Sequence, residues 1–142
     1  MSVADVKALA DVNYSNTDIG AAISSGSFKV EGMVVAPCSI KTLSEISTGV
    51  TSSLLSRAAD VNLKERRRLV LMVRETPVHL GHLRSMTAVT EAGAIVYPPV
   101  PAFYARPQSL EEMVDHSLGR VLDLFGFDAG TVRRWNPNNS GE

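Results

Sequence analysis

Gly32-Met-Val-Val-Ala-Pro-Cys-Ser-Ile-Lys-Thr42 decides how this chain is read. Met33 to Ala36 is a short apolar run that breaks at Pro37. A cluster of small and polar residues follows, and then a helical pattern starts. This is the profile of a buried strand entering a polar turn and a helix N-terminus. In open α/β sheets ligands gather at such junctions, beyond the carboxyl end of a strand. A helix start offers unpaired N–H groups and the positive end of a dipole, which suit a phosphate or an electron-rich ring edge. Ser39 and Thr42 add hydroxyls and Lys41 adds a cation. Taken alone, the same corner serves a purely structural purpose in most α/β proteins.

Outward from this stretch the pattern repeats. Leu69 to Val73 is a second continuous apolar strand, ending in Arg74-Glu75-Thr76-Pro77. Arg74 can meet a phosphate there and Glu75 can move a proton, or the two form a structural salt bridge. Ala94 to Tyr97 is a third short strand, closed by Pro98-Pro-Val-Pro101 because proline cannot continue a ladder. Ala102-Phe-Tyr-Ala-Arg-Pro107 is then a stiff loop carrying Tyr104.

Helices separate the strands. One is predicted over 43–49, ending near Gly49. The next spans about 53–65, capped from Thr51-Ser52-Ser53, with Leu54, Leu55, Ala58 and Val61 on its core face. Arg57, Asp60 and Lys64 share another stripe. Two cations there can grip one anion, while an Arg57–Asp60 pair on a solvated face is the plainer reading. Leu80, Leu83, Met86 and Val89 mark a helix to about 92, stopped by Gly93. Ser109-Leu-Glu-Glu112 is a capping box before Met113 to Phe125, with Arg120 off the core stripe. Strands alternating with helices give an α/β fold with a parallel sheet and helices on its faces.

Residues 1–31 are less regular, with a short helix at Val3 to Leu9 and a turn or cap at Asn13 to Asp18. The tail over 128–142 reads as loose except around Trp135, an aromatic more often packed than functional. His79 and His82 have metal-like spacing but lack further ligands, so no metal is expected. Cys38 reads as a small buried residue, and a lone cysteine excludes an internal disulfide.

Length and composition set bounds. The 142 residues fit a single domain over 1–142, 44% hydrophobic and 20% charged. A net charge of −1 argues against a general affinity for nucleic acid or an acidic membrane. No run reaches the length of a membrane span, and the opening residues lack the apolar core of a signal peptide. A cytoplasmic location fits these facts.

Seven segments together resemble one family, the UbiX-type flavin prenyltransferases, which include the small B subunits of phenolic-acid decarboxylase systems. They are Ile23 to Phe28, Gly32 to Thr42, Arg57 to Val61, Leu63 to Arg66, Leu69 to Pro77, Glu91 to Gly93, and Pro98 to Pro107. The run Ala102 to Phe125 is also family-like. The resemblance implies a Rossmann-like flavoprotein fold with a three-layer parallel sheet. It implies transfer of a dimethylallyl group from dimethylallyl phosphate to N5 and C6 of reduced flavin mononucleotide (FMN), without a metal. The product, prenylated FMN, would serve a UbiD-type decarboxylase. Cationic side chains would stabilise the departing phosphate, and a dry pocket would shield the allylic cation.

The resemblance also assigns residues. Ser39, Ile40, Lys41 and Thr42 match the flavin-contacting turn, and Arg74 the flavin-binding arginine. Tyr104 and Arg120 match the residues holding dimethylallyl phosphate. Lys64 and Arg57 match basic groups around that phosphate. Glu75 matches an acid that moves a proton during ring closure, and Trp135 a tail tryptophan near the site. Relatives begin with a strand, a phosphate-cradling Gly-Ala-Ser-Gly-type loop, a helix and a second strand. The chain starts after these, so it is expected to be N-terminally truncated or reliant on assembly. Relatives form homo-oligomers with sites at subunit interfaces. The alternative is a non-catalytic flavin-binding accessory subunit of an aromatic-acid decarboxylase complex. A directly acting flavoprotein decarboxylase of the cysteine type ranks behind both.

Overall fold

The computed structural model describes residues 2–134. Its elements run α1 (Val3–Ala8), β1 (Gly32–Cys38), α2 (Ile40–Thr48), α3 (Leu54–Lys64), β2 (Arg68–Val73), α4 (Leu80–Glu91), β3 (Ile95–Val96) and α5 (Leu110–Asp123). Single 3-10 turns lie at Ala22–Ser24 and Phe103–Ala105. The three strands form a parallel sheet in the order β1-β2-β3. The α/β reading and its parallel sheet therefore hold.

The central strand explains its own sequence. Leu69 to Val73 are all buried, because helices cover both faces of β2 and leave no position for a polar side chain. Leu69, Leu71 and Val73 point to one layer with Val35 and Cys38, against Leu43 and Ile46 of α2, Ala59 of α3 and Val89 of α4. Val70 and Met72 point to the other layer, against Val121, Leu124 and Phe125. Helices α2, α3 and α4 thus cover one face, and α5 covers the other over β2 and β3.

β1 departs from its expected end. The strand continues through Pro37 to Cys38, with a register irregularity between Val35 and Cys38. Proline lacks the ladder donor, and the irregularity absorbs that loss at an edge strand. At the other end, Gly32 sits at φ 154°. A Cβ there would meet the Arg68 carbonyl oxygen and stand 2.7 Å from Phe125. Only glycine fits this close approach of β1, β2 and the end of α5.

Caps set the helix limits. Ser53 Oγ accepts from Ser56 N–H at 3.3 Å at the start of α3. Asn16 reinforces that start: its carbonyl accepts from Leu54 N–H at 2.8 Å and its Oδ1 from Leu55 N–H at 2.9 Å. The turn expected at Asn13 to Asp18 is therefore also a cap, but for a helix almost forty residues onward. At α5, Ser109 Oγ accepts from Glu112 N–H at 3.1 Å. Glu112 reaches past the box position and accepts from Gln108 N–H at 2.7 Å. Among the described residues no helix is long and apolar enough to cross a membrane, and no group of three or more His, Cys, Asp or Glu could hold a metal.

Candidate functional site

The carboxyl ends of β1 and β2 lie side by side, with Cys38 opposite Val73. Arg74 N–H donates to the Cys38 carbonyl at 3.4 Å. This pairing brings Ser39 and Arg74 together at the same edge of the sheet. Ser39 is the N-cap of α2: its Oγ accepts from Thr42 N–H at 3.2 Å and donates to Thr42 Oγ1 at 3.1 Å. Thr42 N–H is spent on the cap, which leaves the N–H groups of Ile40 and Lys41 as the first-turn donors without an intrahelical acceptor.

Lys41 turns along the helix surface to pair with Glu45 at 2.9 Å. That lysine, with Ser52 Oγ at 2.9 Å, lowers the Glu45 carboxyl below its usual range. Arg74 is exposed and forms no ion pair among the described residues. Glu75 follows it, half-buried, before α4. Cys38 is fully buried beneath this junction, and burial pushes its thiol up to about 11. It is inert packing, as its surroundings in the sequence indicate. A turn with two free N–H donors, a hydroxyl and a free guanidinium suits an electron-rich ring edge or a phosphate.

Tyr104 and Arg120 form a second group on the α5 side. Tyr104 follows β3 and the proline-rich loop, and its ring meets His116 edge-on at 6.0 Å and 86°. Tyr97, at the carboxyl end of β3, donates from its hydroxyl to the Ser117 carbonyl at 3.2 Å. Burial raises the Tyr97 phenol, and Arg120 nearby works against that rise. Arg120 Nη1 donates to Asp123 Oδ2 at 2.8 Å, its one hydrogen bond from the side chain among the described residues. Tyr104 and Arg120 are both at least half exposed, at 68% and 50%.

Arg57 and Lys64 form a third group, on α3. Arg57 Nη1 pairs with Asp60 Oδ2 at 2.8 Å, and its Nε donates to the Ser24 carbonyl at 3.2 Å. Lys64 pairs with Glu65 above Gly26. Lys64 ends the helix that leads into β2, whereas Arg74 begins beyond the far end of that strand. The six residues of β2, at about 3.3 Å each, separate the two ends of the strand by roughly 20 Å. No hydrogen bond or ion pair joins any two of the three groups among the described residues.

His116, Tyr97 and Asp123 belong to the second group and were missed in the sequence. The spacing of Asp123 three residues after Arg120 signals a helical pair. His116 and Tyr97 gave no local signal, since long-range packing brings them to Tyr104. Trp135 lies outside the described residues.

Residues 3–122 match the Flavoprotein family. The chain is 53% identical over 141 residues to the flavin prenyltransferase UbiX of Thauera aromatica, covering 99% of this chain and 73% of that protein. Its fold superposes at a TM-score of 0.94 on a UbiX protein crystallised with FMN and dimethylallyl pyrophosphate, at 54% identity, over 96% of this chain and 72% of that one. A dodecameric FMN-dependent UbiX-like decarboxylase from Escherichia coli O157:H7 superposes at 0.93, with 48% identity over 96% of this chain and 74% of its own. The likeness covers nearly the whole chain, and by it the chain belongs to the family of UbiX-type flavin prenyltransferases.

Proposed function

We propose that this protein transfers a dimethylallyl group from dimethylallyl phosphate to N5 and C6 of reduced FMN, with prenylated FMN passing to a UbiD-type decarboxylase. The observation that carries this reading is the presence, in one member of the family, of both a ring-edge junction and a separate phosphate-type group. The first comprises Ser39, the Ile40 and Lys41 N–H groups and Arg74. The second comprises Tyr104 and Arg120. A protein that merely held flavin would need only the first.

The residues fit FMN at the junction on chemical grounds: hydroxyl, N–H and guanidinium donors share one end of the sheet, and Arg74 forms no ion pair among the described residues. FMN, reduced, supplies the nucleophilic ring to be alkylated. Arg120 and Tyr104 orient the phosphate of the second substrate and stabilise charge as the C–O bond breaks, the role a metal fills elsewhere. Glu75, next to Arg74, is placed to move a proton at the ring edge. Lys64 stands before the other end of β2 within one chain. Its separation from Arg74 supports a site completed by a second copy of the chain, in keeping with the dodecameric relative.

Incubation of the purified protein with reduced FMN and dimethylallyl phosphate should yield prenylated flavin by mass spectrometry. FMN binding with only unmodified flavin recovered would favour the accessory-subunit reading instead.

A further inference from the structure

We infer that residues 131–134 form a strap that positions both phosphate-binding side chains, with Asp123 as its anchor; this rests on the reading of Tyr104 and Arg120 given above. Arg134 donates twice to one carboxylate, Nη1 to Asp123 Oδ2 at 2.8 Å and Nη2 to Asp123 Oδ1 at 2.8 Å. The same Asp123 Oδ2 accepts from Arg120 Nη1 at 2.8 Å. A planar two-point bond fixes the carboxylate in rotation, and the fixed carboxylate then fixes the guanidinium of Arg120. Among the described residues one Arg120 donor is used, and the others stay available to a phosphate.

The strap reaches the tyrosine as well. Arg133 Nη1 donates to the Ala105 carbonyl at 3.2 Å, one residue after Tyr104. Thr131 Oγ1 donates to the Asp115 carbonyl at 3.1 Å, next to the His116 that meets the Tyr104 ring. The strap lies directly on Gly119: a Cβ there would stand 2.6 Å from both Thr131 Oγ1 and Val132 Cγ2. A helix-weakening glycine in mid-α5, beside Arg120, is accounted for by this close seat. Asp128 adds a further contact to Arg134 at 3.3 Å. Two arginines, an aspartate and a glycine seat thus converge on the backbone and side chains that hold Tyr104 and Arg120. All act through other groups and are positioning residues.

The test uses calorimetric binding of dimethylallyl phosphate to the protein loaded with oxidised FMN, which accepts no prenyl group. D123N, R134Q and G119A should each weaken binding about tenfold, the scale of one lost oriented, charge-assisted contact. FMN affinity should stay within twofold. D123N should add a smaller loss in an R120Q background, because only its hold on Tyr104 remains to be lost, whereas a merely structural role would add the same full loss there. R134Q alters only an exposed side chain and keeps the test sound if D123N fails to fold. Binding unchanged within twofold in D123N and R134Q, or an equal loss in the R120Q background, overturns the strap. If the pattern appears but the wild type makes no prenylated flavin, the strap stands and the transferase reading falls. If product forms without the pattern, the reverse holds. A wild type that fails to bind dimethylallyl phosphate overturns both.

Discussion

At the scale of single residues, neighbouring positions carry opposite roles. Cys38 and Ser39 are adjacent, yet one is sealed in the core and the other caps a helix at the site. The cysteine thiol, raised to about 11 by burial, is almost wholly protonated at pH 8. The native protein should therefore resist alkylation by iodoacetamide at that pH, and urea should expose Cys38 to rapid labelling, both read by intact mass. Arg74 and Glu75 form the corresponding pair at β2. If Glu75 moves a proton, Glu75→Gln should lower the rate of prenyl transfer by about 10²-fold or more while FMN affinity stays within twofold. An equal loss in FMN affinity would mark the residue as structural. Arg74 was readable in the sequence as a site position because it follows directly from its strand, and Cys38 as a small buried residue because nothing beside it activates a thiol. The neighbours of Tyr104 were not readable, because His116 and Tyr97 approach it only after α5 packs on the sheet.

At the scale of elements, turn and cap chemistry located most boundaries. Ser53, Gly49, Gly93 and Ser109 mark helix limits in the sequence, and the helices begin or end within a residue or two of them. Ser53→Ala removes the acceptor for Ser56 N–H and should cost about 1 kcal/mol in urea unfolding, with the Asn16 bonds preserving the helix itself. Two features escaped. The extension of β1 through Pro37 depends on pairing with β2, which no local pattern encodes. The partner of Glu112 is Gln108 rather than Ser109, a choice made by the backbone entering α5. The Arg57–Asp60–Lys64 stripe was legible as a helix face, but its ion pairs divide it. Arg57 is held by Asp60 and Ser24, and Lys64 by Glu65.

At the scale of the whole molecule, the three-strand sheet organises everything else: one face carries α2, α3 and α4, the other carries α5 and the strap. The network Arg120–Asp123–Arg134 joins the last helix to the residues after it. Hydrogen bonds from Arg134, assisted by its charge and by Arg120, hold the Asp123 carboxyl below its usual range. A carboxyl lowered in this way contributes stability that is present above the unfolded carboxylate value of about 3.9 and is lost as pH falls through the lower folded value. Protection of the segment around Arg134 from proteolysis should therefore persist from pH 7 to about pH 4 and fall away only below it. Asp123→Asn should remove that acid transition.

The parallel order and the layers were legible from alternating apolar runs and helical stripes. The separation of Lys64 from Arg74 was legible as well, since one precedes β2 and the other follows it, but the contact of Arg57 with the Ser24 carbonyl was not. The most direct test is the mass of the flavin recovered after the purified protein meets reduced FMN and dimethylallyl phosphate. The account predicts FMN enlarged by one five-carbon prenyl unit, with the yield abolished in an Arg74→Ala, Arg120→Ala double variant. Unmodified FMN alone, recovered from protein that binds both compounds, would contradict it.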